Sequence, residues 1–166
     1  TLLGKLDGEP PARSVFDVLR RAITPQDGIA STIYDENIDI LPANPSLESM
    51  AKTQINDRLS KVVDALSTSY GWIIIDTPPN LGVLTQNALV AADYALIPTQ
   101  CNGLAVPPLH QLKELISKVQ ERQNVWLELM GVLLTQKDGR TPLQRPVRRE
   151  LGQVFGAADI FKTVIT

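Results

Sequence analysis

The chain has 166 residues, 43% hydrophobic and 20% charged, with a formal net charge of −2, enough for one domain with a sizeable core and excluding both a disordered chain and a general polycation. One cysteine and one histidine exclude an internal disulfide framework and a Cys/His metal cluster. No apolar run approaches the ~18 residues of a membrane span and no basic-then-apolar leader is present, so the chain is expected to be cytosolic.

In chain order, Ser14 is a natural helix cap for residues 14–23, where Val15, Phe16, Val18, Leu19 and Ile23 form an apolar stripe. Residues 37–43 read as a short strand ended by Pro42. From Ser46 to about Ser67, apolar residues at steps of three and four predict one long amphipathic helix. Tyr70 and Gly71 close it. Residues 72–76, Trp-Ile-Ile-Ile-Asp, are apolar on both faces, the pattern of a strand inside a parallel sheet. Helix (83–93), strand (94–100), helix (107–123), strand (129–135), helix (145–156) and strand (160–165) follow. This alternation predicts a single α/β domain over 1–166 with a largely parallel sheet and right-handed crossovers. The chain begins Thr1-Leu2-Leu3 without methionine and ends on a strand-like run, so both ends read as cut.

Ligands of open α/β sheets sit outside the carboxyl ends of the strands, where Asp76 is expected. Pro78 and Pro79 lack an N–H, so the strand stops and the backbone behind Asp76 is stiff. Mg²⁺ takes one or two carboxylates besides phosphate oxygens and keeps most of its waters, a role that a single strand-end Asp suits. The alternative is an Asp that caps the helix beginning near Gly82 or simply ends a strand at solvent.

The block "YGWIIIDTPPNLGVLTQNALVAADYALIPTQ" (70–100) resembles the Walker B region of ParA-type partition ATPases, the ParA/MinD group of deviant P-loop ATPases. The resemblance continues in "GVLLTQKDGRT" (131–141) and "IFKTVI" (160–165), reaches back through "IDILPANPSLE" (38–48), and keeps the family's order and spacing. It implies a three-layer P-loop NTPase-like core, incomplete at its amino-terminal side. It also implies that Asp76 acts on Mg²⁺ through a bound water with Thr77 and Pro78 beside it, and that Thr135 and Gln136 lie near the nucleotide base. Asp138 and Arg140 fill the family's acid-x-arginine position.

A phosphate loop needs G-x-x-x-x-G-K-[ST], and Gly4-Lys5-Leu6, with no earlier glycine and leucine in place of the hydroxyl, is not one. By the resemblance, that loop and an Asp-rich motif precede the part of the core seen here. The 166 residues by themselves are therefore expected neither to hold ATP and Mg²⁺ nor to hydrolyse ATP. Two further departures are Pro107-Pro108, where the family often has Glu-Gly, and Thr166, where a proline usually follows the last strand.

Lys137, Arg140, Arg145, Arg148 and Arg149 fall within thirteen residues that contain one acid, Asp138. Pro146 suits a first helical turn, which puts Arg148 and Arg149 where cations oppose the helix dipole. Either this is a solvated face near Glu150, or the cations serve an anionic partner. The resemblance implies ATP- and Mg²⁺-dependent homodimers, non-specific binding to nucleoid DNA through phosphate contacts, and a ParB-type centromere-binding partner. A module that kept the fold and lost the phosphate loop is the alternative. His110, Cys101, Trp72 and Trp126 read as structural, the two tryptophans as core residues.

Overall fold

The computed structural model describes residues 13–32, 37–50, 57–100, 106–135 and 144–165, without the side chains of 106, 144 and 145. They belong to two compact units, one of Thr1–Pro78 with Gly82–Ala91, the other of Pro79–Leu81 with Ala92–Thr166.

In the first unit, α1 (Val15–Leu19) begins at the fully buried Ser14, whose N–H and Oγ donate to Asp17 Oδ2 at 3.1 and 2.8 Å. The stripe predicted a helix to 23, but the chain turns out of it earlier. Arg21 N–H donates to Val18 O (2.8 Å) and Ala22 N–H to Asp17 O (2.9 Å), while Arg21 takes φ +64°. That pair of bonds around a left-handed residue is a Schellman end. Thr24 then caps α2 (Pro25–Gly28), with proline at its first position. A small antiparallel pair follows, β1 (Ala30–Ser31) with β2 (Asp39–Ile40).

The single helix expected over 46–67 is not continuous. Its described parts are α3 (Leu47–Met50) and α4 (Arg58–Ser67), and Asp57 before α4 has non-helical φ/ψ of −136° and 1°. Residues 51–56 lie outside the described residues. Val18, Leu19, Met50, Val62 and Leu66 form this unit's core, with Ile73 and Tyr70 packed against it. The last helix of the unit is α5 (Val83–Ala91).

The run 72–76 departs from expectation. It is extended but joins no strand ladder among the described residues. Ile73 and Ile75 are half-buried, whereas Trp72 and Ile74 are 81% and 90% exposed. The two-sided apolar pattern predicts a central strand, but no described strand lies beside it to satisfy its backbone and cover its outer face. Burying such side chains is worth ~1.5–3 kcal/mol each, which here goes unrealised. Trp126, 82% exposed on the turn before β4, is not a core residue either.

The second unit is a parallel sheet in the order β3 (Tyr94–Gln100), β4 (Glu128–Thr135), β5 (Ile160–Val164), with α6 (Val106–Arg122) and α7 (Gln144–Phe155) between the strands. Pro107 and Pro108 sit in the first turn of α6, where their missing N–H groups have no intrahelical acceptor anyway. Along β3, Ala95, Ile97 and Thr99 are buried and the alternate residues exposed. Val132 and Leu134 of β4, Val119 of α6 and Leu151 of α7 are completely buried. Lys113 donates to the Val154 carbonyl at the end of α7, with its ammonium 5.9 Å from the Phe155 ring.

The β3–β4 register slips between Ala95 and Leu96, leaving Met130 as the extra residue before Gly131. Gly131 takes φ +140°, and a Cβ there would lie 2.7 Å from Asp159 O. Gly131→Ala is expected to destabilise the chain by ~2–4 kcal/mol through strain and steric overlap, read as a lower urea midpoint. In the first unit, Tyr70 Oη donates to Asp39 Oδ2 at 2.7 Å, and this bond holds the phenol above its ordinary value of 10.0. A raised folded-state pKa means that its contribution is complete below pH ~10 and disappears as pH rises through the raised value. Tyr70→Phe should therefore lower stability by ~0.5–1.5 kcal/mol at neutral pH. The variant and parent melting curves should converge above pH ~10.

Candidate functional site

Alternation along 72–76 places Asp76 on the outward side with Trp72 and Ile74. Its carboxylate is exposed and makes no hydrogen bond or ion pair among the described residues. Thr77 is exposed and Pro78 half-buried. The capping alternative does not hold: α5 starts at Val83, seven residues on, and its first turn closes through Gln86 N–H to Gly82 O at 3.1 Å. Asp76 is thus an exposed carboxylate at the end of an extended, apolar run.

One exposed carboxylate fits a Mg²⁺ ion that keeps its waters and finds its other ligands on phosphate. It does not fit a metal held by protein alone, and no cluster of three ligating residues occurs among the described residues.

In the second unit, Thr135 ends β4 opposite Gln100, the last residue of β3. Its Oγ1 donates to Thr99 O at 3.3 Å, which ties the carboxyl tips of the two strands together. Gln136, Lys137, Asp138 and Arg140 lie outside the described residues, as do Cys101 and Thr166. Arg145 lies in the first turn of α7, and its side chain is not described.

The two arginines that follow differ. α7 starts at Gln144, so Arg148 and Arg149 stand in the second turn, and the dipole penalty expected for them is smaller. Arg148 is half-buried, and its Nη2 donates to Ile160 O at 3.3 Å and Phe161 O at 2.9 Å. It fastens α7 to the start of β5. Arg149 is exposed, as is His110 on α6. The Tyr70–Asp39 bond, which anchors the chain just before the Asp76 run, has no signal in the sequence because 31 positions separate its partners.

A family model described as "AAA domain" matches residues 4–129. The sporulation initiation inhibitor protein Soj of Bacillus subtilis is 38% identical over 156 residues, covering 91% of this chain and 61% of Soj. The chromosome partitioning protein ParA of Myxococcus xanthus is 33% identical over 162 residues, covering 84% of this chain and 57% of that protein. The chain thus spans about three fifths of the length of these curated relatives. Among solved structures, cobyrinic acid a,c-diamide synthase from Mycobacterium smegmatis with bound ATP analog and magnesium superposes with a TM-score of 0.80 at 35% identity. That match covers 92% of this chain and 64% of the other. Apo McdA from Cyanothece reaches a TM-score of 0.84 at 19% identity over 95% of this chain and 66% of its own, a likeness of fold alone.

The contrast between the two arginines is testable. Arg148→Ala is expected to cost ~1–3 kcal/mol of stability, because two carbonyls lose a charged donor. Arg149→Glu should leave the urea midpoint within ~0.5 kcal/mol of the parent's, as expected for an exposed position.

Proposed function

Since the chain belongs to the AAA-domain family, as a ParA-type partition ATPase, we propose that it supplies the magnesium-side half of a nucleotide site in a longer protein. The observation that carries this reading is the exposed carboxylate of Asp76, without a partner among the described residues, at the end of an extended apolar run stopped by Pro78-Pro79. Asp76 would hold the magnesium ion, with Thr77 and Pro78 shaping the backbone beside it. When bound, Mg²⁺ supplies the positive charge that offsets the phosphates. Thr135 and Gln136 are assigned to the base on the family resemblance alone, Gln136 lying outside the described residues. The likeness to a synthase solved with an ATP analog and magnesium supports this assignment.

The 166 residues contain no G-x-x-x-x-G-K-[ST] sequence, so the phosphate grip and its lysine come from elsewhere in the longer protein. A strand leading into that loop would also give 72–76 the strand neighbour it lacks among the described residues. In the longer protein, ATP and Mg²⁺ drive homodimerisation and non-specific DNA binding, and a ParB-type protein is the partner. Among the cations of the basic segment, Arg149 is the better DNA contact, because Arg148 already serves the fold. Arg149→Glu should weaken DNA retention at low salt without loss of stability. Unchanged retention would remove Arg149 from the interface.

Asp76→Ala in the longer protein is expected to reduce magnesium-dependent nucleotide affinity or turnover by about 10–100-fold, as for loss of an outer-shell metal partner. An unaltered rate would refute the assignment. Calorimetry of the 166-residue chain with ATP and Mg²⁺ should show no tight binding, and a micromolar Kd would overturn the division of the site proposed here. The coding DNA upstream of Thr1 offers a direct check. A phosphate loop in frame there agrees with the proposal, and unrelated sequence favours a module that has lost it.

A further inference from the structure

The first unit contains a cleft, open to solvent, of about 520 Å³, lined by the end of α1, the link to α2, α2 itself and the first two turns of α4. None of its lining residues belongs to the Asp76 run. The volume falls in the ~300–1,000 Å³ range of small-molecule sites. Its floor is apolar, from Val18, Leu19, Ile23 and Val62. Its polar wall carries three cations, Arg21, Arg58 and Lys61, against one acid, Asp27.

The charges are not equivalent. Asp27 is held by Thr24, whose N–H and Oγ1 donate to its carboxylate at 3.3 and 2.7 Å. Those bonds keep the carboxyl below its ordinary range, so the charge stays fixed in the α2 turn. Lys61 pairs with Asp57 at 2.5 Å, and Arg21 also acts on Asp57 at longer range. Arg58 is half-buried and donates from one Nη1 to Leu19 O at 3.0 Å. A guanidinium has five N–H donors in a fixed fork, and this bond fixes the fork while engaging one of them.

Arg21 is the least expected residue. It occupies the left-handed position of the Schellman end, φ +64°, where glycine is the usual residue because any Cβ is disfavoured. A long cation thus stands at a backbone site that would fold better with no side chain, and it lines the cleft.

We propose that this cleft binds a small organic anion with an apolar body, of the aryl or alkyl phosphate or carboxylate class. The floor takes the hydrocarbon, and Arg21 and Arg58 take the anionic group through charge-assisted hydrogen bonds. Neither nucleotide nor magnesium enters the proposal, so it stands or falls apart from the function proposed above.

The test is an amide-shift NMR titration of the full 166-residue chain with phenyl phosphate. Saturable shifts are expected at residues 18–27 and 58–65. Inorganic phosphate and benzyl alcohol should each bind at least about tenfold more weakly, since each lacks one half of the recognition. Benzoate at the same residues would extend the site to carboxylates, whereas phenyl phosphate alone would restrict it to phosphate esters, and both results support the proposal. Arg21→Gly should weaken phenyl phosphate about tenfold through loss of a charge-assisted bond and, by relieving the backbone, raise Tm. Absence of saturable shifts at these residues would overturn the proposal, as would equal binding of benzyl alcohol. Unchanged affinity in Arg21→Gly would do the same. So would saturation by an acidic peptide where phenyl phosphate fails, which would make the cleft a protein contact.

Discussion

An extended segment can lose its contact with water only when another backbone lies alongside it, because each residue brings one N–H and one C=O that must be paired. The second unit meets that condition. β3, β4 and β5 pair in order, and with α6 and α7 they leave Val132, Leu134, Val119 and Leu151 without solvent contact. Among the described residues, the run from Trp72 to Asp76 has no such neighbour. Three consecutive isoleucines have the composition of a buried strand, yet only one face of the run rests on the core built by α1, α3 and α4. The position of the Asp76 carboxylate follows directly: it is presented outward because the residues before it alternate on a run that the described residues cover from one side.

Periodicity was a reliable guide where a segment interacts mainly with its near neighbours. The spans of α5, α6, β3, β4, α7 and β5 all follow from spacing and from the helix-breaking residues between them. It failed where backbone geometry is decided by individual turns. Arg21 and Ala22 close α1 about one turn before its apolar stripe ends, and Asp57 interrupts what reads as one helix. It failed again at Trp72 and Trp126, because hydrophobicity states what a side chain prefers and not whether a partner is present. Asp76 was legible from its place after an apolar run and before two prolines. The different fates of Arg148 and Arg149 were not, since they depend on carbonyls more than ten positions away.

Those carbonyls belong to a recurring arrangement. Arg58 donates to the last residue of α1, Lys113 to the end of α7, and Arg148 to the start of β5. In each case a basic side chain supplies a donor to a main-chain oxygen, and at the two helix ends it also faces the negative end of the dipole. Counting cations along the sequence therefore overstates the charge available to a polyanion. Arg149, exposed on the same helix as Arg148, shows how little separates a structural cation from an available one.

The chain has only two tryptophans, and both are solvent-exposed. Indole emission shifts to shorter wavelength and resists aqueous quenchers once the ring leaves water. Trp72 lies four residues before Asp76, while Trp126 lies in the turn that precedes β4. The molecule therefore carries its own optical gauge of whether the isoleucine run has been covered. Light from position 72 reports that event, and position 126 serves as an internal standard.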